Sequence, residues 1–65
     1  MVLTVNGETI EASAATVAAL LAELDHDGRH VAIALNNQVI RRARWAETPL
    51  AAGDAVEIIS PRQGG

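Results

Sequence analysis

The sequence predicts an α+β fold, a mixed sheet of four to five strands wrapped around one main helix. Three observations carry that expectation. Strand-like alternation opens and closes the chain, at residues 1–6 and 55–60. Between them lies one stripe at helical spacing, Val17, Leu20, Leu21 and Leu24. Asn6-Gly7 follows the first alternation and is the strongest short hairpin signal, because both residues tolerate positive φ.

Each element follows in order. Met1, Leu3 and Val5 fall on one face of the first strand. Residues 8–12 read as its return strand, with Ile10 joining Leu3 and Val5 inside. Thr16 or Ser13 can cap the helix with a side-chain oxygen; Thr16 is preferred because the apolar stripe begins just after it. Gly28 can end the helix in the left-handed conformation. Residues 31–35 alternate strictly, so Val31, Ile33 and Leu35 should face the helix while Ala32 and Ala34 face away. Asn36-Asn37 turns the chain into a short edge strand, residues 38–40. Residues 41–48 are charged and irregular apart from Trp45, with room for one helical turn. Residues 49–54 form a loop that turns at Gly53-Asp54. In the last strand Val56 and Ile58 point in, and Glu57 and Ile59 point out. Pro61 cannot donate to a ladder, so pairing stops there. The first and last strands should lie side by side at the centre. Their parallel pairing needs a long crossover, which the helix and middle strands supply.

A chain of 65 residues holds one domain and a small core. The organisation is a domain over residues 1–60 and a flexible tail over 61–65. Trp45 is the only aromatic residue, so Val, Ile, Leu and Ala must fill the interior. With no Cys there is no disulfide, thiolate metal site or nucleophilic thiol. The net charge is −3 and no basic patch with interleaved aromatics occurs, which argues against nucleic acid. No apolar run approaches the roughly 20 residues of a membrane span. No signal peptide is visible, so the cytoplasm is the expected location. All basic residues are arginines, and a chain without lysine cannot accept an isopeptide bond through a side chain.

The residues that could carry chemistry are few. His26 and His30 are four apart, but Gly28 lies between them and no carboxylate completes a metal-ligand set. Glu8 and Glu11 look like a solvated edge. Trp45 fits a lid over the end of the core better than a platform for a ligand. The tail, Arg62-Gln63-Gly64-Gly65, is the one stretch with a distinctive pattern. Its glycines have two readings. They can be a frayed end, or they can be thin, unhindered units that deliver the Gly65 carboxylate into another protein's active site. Five extended residues reach about 17 Å. Arg62 can pair with an acidic groove or a phosphate, or be solvated.

The order of short motifs resembles a known family. Val5-Asn6-Gly7, Thr16-Val17 with Leu20-Leu21, and Ala34-Leu35-Asn36 lead on to Val39-Ile40, Arg42 and Trp45. Leu50, Gly53-Asp54 and Val56-Glu57-Ile58 follow, and the series ends at Gly64-Gly65. Together they resemble the ubiquitin-like β-grasp proteins, and most closely the sulfur carrier proteins of thiamine biosynthesis, the ThiS family. The family often has Pro at the place of Arg41 and an apolar residue or Gly at the place of Gln63. The small subunit of molybdopterin synthase also resembles this pattern; those chains are usually longer and tend to have aromatics in the first strand.

The resemblance implies a carrier, not an enzyme, with no bound cofactor. The α-carboxyl has a reference pKa of about 3.3–3.7 and is anionic at pH 7, a poor acyl electrophile that must be activated. The implied partners are a ubiquitin-activating-type (ThiF-like) adenylyltransferase that uses ATP, a persulfide enzyme as sulfur donor, and a ThiG-like thiazole synthase as acceptor. Gly65 would carry the adenylate and then the thiocarboxylate, while Gly64, Gln63 and Arg62 would govern access of the tail. Ala32, Ala34 and Ile59, on the outward face of the sheet, form the candidate docking patch. Sulfur delivery for molybdopterin, or conjugation of Gly65 to protein lysines, would use the same activated terminus.

Overall fold

Alternating apolar residues and two tight turns generate most of the architecture. The computed structural model describes residues 1–24 and 31–59. Gly28, the expected helix stop, and His26 and His30 lie outside the described residues, as do residues 60–65 with Pro61 and the whole tail.

Strands β1 (Val2–Val5) and β2 (Glu8–Glu11) pair antiparallel, with Leu3 opposite Ile10 and Val5 opposite Glu8. Asn6 and Gly7 between them have φ of 52° and 84°. Positive φ at both positions matches a two-residue turn to the twist of its strands. The same device joins β3 (Ala32–Leu35) to β4 (Gln38–Ile40), where Asn36 and Asn37 have φ of 51° and 69°. The last strand, β5 (Ala55–Ile59), enters between the two hairpins. The sheet order is β2-β1-β5-β3-β4, so β5 is central, parallel to β1 and antiparallel to β3. The expected mixed sheet thus has five strands, with the first and last side by side.

Helix α1 (Val17–Glu23) crosses the inner face. Thr16 is its N-cap; the Ala19 N–H donates to Thr16 Oγ1 at 3.2 Å. A second orphan donor of the first turn, the Val17 N–H, is taken by the Thr48 carbonyl at 3.0 Å. Ser13, the other candidate cap, instead donates through its N–H and hydroxyl to the Glu23 carboxylate. Val17, Leu20 and Leu21 are buried, while Leu24 stands at the C-cap, partly buried against the core.

Leu3, Val17, Leu20, Ile33 and Val56 are the most deeply buried large residues. Each contributes about 1.5–3 kcal/mol relative to an exposed position. Among the described residues no polar or charged side chain is buried. Ile10 packs partly buried against this cluster, as its place opposite Leu3 requires. Met1 was expected beside Leu3 and Val5 but is 38% exposed, because it stands ahead of the first strand at the rim of the sheet.

Residues 41–48 differ from the single turn that the sequence suggests. Arg42–Glu47 is a 3₁₀ helix. Trp45, 6% exposed, anchors it to the core, and its Nε1–H donates to the Ile40 carbonyl at 2.9 Å. The indole therefore acts as the lid that its sequence context suggests. The following loop is also tied down. Leu50 is buried, its N–H donates to the Ala15 carbonyl at 2.9 Å, and Thr16 bridges Pro49. The Asp54 N–H closes a tight turn onto the Ala51 carbonyl at 3.0 Å, with Gly53 at φ 89° in the third position. That angle is the type II requirement that favours glycine.

Candidate functional site

In sequence the tail follows β5, so the site is built on what holds that strand. Its inward side chains, Val56 and Ile58, are buried, which fixes its face. Its register on β3 places Ala32 opposite Ile59, Ala34 opposite Glu57 and Leu35 opposite Val56. On the other side β1 pairs with only the first part of β5, Thr4 with Ala55 and Val5 with Val56. The Asn6 N–H donates to the Val56 carbonyl at 2.9 Å, and the chain then turns away.

Two asparagine side chains complete the grip. The Ile58 N–H donates to Asn6 Oδ1 at 2.8 Å. At the start of the strand the Ala55 N–H donates to Asn36 Oδ1 at 2.9 Å, and the Asn36 N–H donates to the Ala55 carbonyl at 2.7 Å. Asn36 Nδ2 also donates to Asp54 Oδ1 at 3.1 Å, while Asp54 Oδ2 accepts from the Ala51 N–H at 2.8 Å. Each asparagine is the first residue of a hairpin turn with a left-handed backbone, and each spends its side-chain oxygen on β5. Sequence reasoning identified both turns but not this second role. The signal available was the choice of Asn where Gly would also satisfy the backbone.

The outward face beside the end of β5 is made by Ala32, Ala34 and Ile59, as their alternation predicts, and the register brings Ala32 and Ile59 together. Ile59 is 50% exposed. Ala34 is not the open, low surface expected of it. It is only 9% exposed, because its methyl sits between the longer side chains of its strand neighbours Val39 and Glu57. Val39, which the sequence did not single out for this face, is 76% exposed and widens it toward the β4 edge. The β3–β4 register continued by one residue sets the exposed Arg41 across from Ala32.

Arg62, Gln63, Gly64 and Gly65, the residues expected to do or admit chemistry, lie outside the described residues. Among the described residues no group of acidic or histidine side chains could hold a metal ion, and no helix is long and apolar enough to cross a membrane.

Comparison with known proteins finds similarity at the level of family, sequence and structure. The model of the ThiS family matches residues 3–65. A thiazole synthase from Paramagnetospirillum magneticum is 39% identical over 66 residues, a match that takes in 100% of this chain and 20% of that protein. The chain therefore spans about a fifth of the length of that relative. The crystal structure of a thiamine biosynthesis protein (ThiS) from Geobacter metallireducens matches with a TM-score of 0.85 at 35% identity, over 100% of both chains.

Proposed function

This chain belongs to the ThiS family, and from that premise we propose that it is a sulfur carrier protein for thiazole formation in thiamine biosynthesis. The observation that carries the reading is the extent of the family match, which runs through the last strand to Gly64 and Gly65. The similarity to a thiamine biosynthesis protein over the full length of both chains favours thiamine over molybdopterin.

The carrier contributes a carboxylate and a shape. A Gly65 carboxylate oxygen attacks the α-phosphorus of ATP on a ThiF-like adenylyltransferase, and pyrophosphate leaves. The terminal sulfur of a donor persulfide then attacks the acyl carbon and displaces AMP. A second thiol reduces the resulting acyl disulfide and releases the thiocarboxylate. Acid, base and metal chemistry belong to the partners, so the chain is a co-substrate and binds no cofactor of its own. Tethering makes each partner step locally concentrated. A ThiG-like thiazole synthase takes the sulfur. The thiazole synthase relative supports that partner, because a stretch like this whole chain makes up a fifth of its length. Ala32, Ala34 and Ile59 form the docking patch, extended by Val39.

Intact mass spectrometry tests the reading. The chain is incubated with a ThiF-like adenylyltransferase from the host genome, ATP, and a cysteine desulfurase charged as persulfide. The expected product is the chain with one oxygen replaced by sulfur. Deleting Gly65 abolishes that product and leaves the melting temperature within about 1 °C, since the last residue of a chain generally contributes little to stability. Recovery of Gly65 in amide linkage to lysines of many host proteins would overturn the carrier in favour of a protein modifier.

A further inference from the structure

Asn6 does more than turn the chain. β1 stops supplying backbone partners to β5 after the Asn6 N–H meets the Val56 carbonyl, because φ becomes positive at Asn6 and Gly7 and the strand reverses. The Ile58 N–H faces the same side, one pleat further on. The side-chain oxygen of Asn6 meets it at 2.8 Å, across 52 residues of sequence. This is the contact on that side nearest the end of the strand, just before the tail begins.

We propose that Asn6 is a positioning residue for transfer at Gly65: its amide oxygen fixes the place where the tail leaves the sheet. The proposal rests on the carrier reading given above. Without the bond, Ile58 and Ile59 are held on the β3 side alone, and the strand can fray back to Glu57. Two residues of strand span about 7 Å. The root of the tether would retreat by that length, and the carboxylate would search a larger volume for a fixed active site. Orientation of this kind governs the efficiency of a step between held groups. Gly at position 6 would serve the turn equally well, since a Gly-Gly pair is a favoured hairpin turn. Asn satisfies the turn as Gly would and also supplies the side-chain acceptor that Gly lacks.

Asn36 supplies the control. It makes a matching bond to β5, but at Ala55, the end far from the tail. Steady-state pyrophosphate release by the ThiF-like adenylyltransferase is measured for wild type, Asn6→Gly, Asn6→Asp and Asn36→Gly, at a temperature where circular dichroism shows all four folded. Asn6→Gly is expected to lose about tenfold in kcat/KM, with faster amide exchange at Ile58. Asn6→Asp restores the acceptor and returns kcat/KM to within about twofold. Asn36→Gly lowers stability yet keeps wild-type kcat/KM. Wild-type kinetics in Asn6→Gly would overturn the proposal alone. An equal loss in Asn36→Gly would also overturn it, by showing a general effect of stability. A wild-type chain that releases no pyrophosphate would sink the carrier reading itself, and this role with it.

Discussion

Asn36 and Asn37 share a turn and a left-handed backbone, yet their side chains have unequal weight. Asn36 serves the Ala55 N–H and Asp54 as well as its own turn. Asn36→Gly keeps the turn but hands the exposed Ala55 N–H to water, which costs about 0.5–1.5 kcal/mol. Asn37 is exposed with φ 69°. Asn37→Gly suits that φ without steric cost, and stability should stay within about 0.5 kcal/mol of wild type. Urea denaturation midpoints of the two variants check the contrast. The sequence announces these turns clearly, because few residues tolerate positive φ. It does not announce the clamps. Asn6 and Ile58 are 52 residues apart, and no local pattern records a bond at that distance. The Thr16 cap was legible for the opposite reason: its acceptor and the Ala19 donor lie three residues apart.

At the scale of elements, strands and the main helix declare themselves by period, whereas the 3₁₀ helix does not. Arg42–Glu47 buries only Trp45, so it has no stripe to read, and its fixing points are the Ile40 carbonyl and the flank of α1. The candidate docking face was half legible. Alternation put Ala32, Ala34 and Ile59 on one side, but the cover over Ala34 comes from Val39 and Glu57 on neighbouring strands, which a single strand's pattern cannot show. The face yields a prediction separate from the tail. Ile59→Asp adds a charge at a half-exposed position without opening a cavity, so its cost to stability should stay below about 1 kcal/mol. If the face docks partners, the same change weakens binding to the ThiF-like or ThiG-like protein about tenfold or more, since a charge is buried against apolar surface. Isothermal titration calorimetry measures this, and unaltered affinity for both partners would remove Ile59 from the interface.

Over the whole molecule, the pairing of β1 with β5 brings together Thr4 and Ala55 and closes most of the chain into one loop. The sheet therefore cannot be completed from local contacts, and the central strand is held by β1, β3 and the two asparagines. Backbone amides of β5 should exchange with solvent only on global unfolding, as expected for a central strand. Those of β2 and β4, the two edges, should exchange at least tenfold faster. Nuclear magnetic resonance exchange rates decide this; equal rates across the sheet would contradict the central role of β5.

The parallel placement of β1 and β5 has a mechanical consequence. Val2 begins β1 and Ile59 ends β5, so these residues lie toward opposite ends of the pair. A pull between them slides one strand along the other. The load then falls on every bond of the pair together, the Asn6–Ile58 contact included, and no bond can open first like the tooth of a zipper. A force applied between the start of β1 and the end of β5 therefore meets the pair in shear, with its bonds sharing the load.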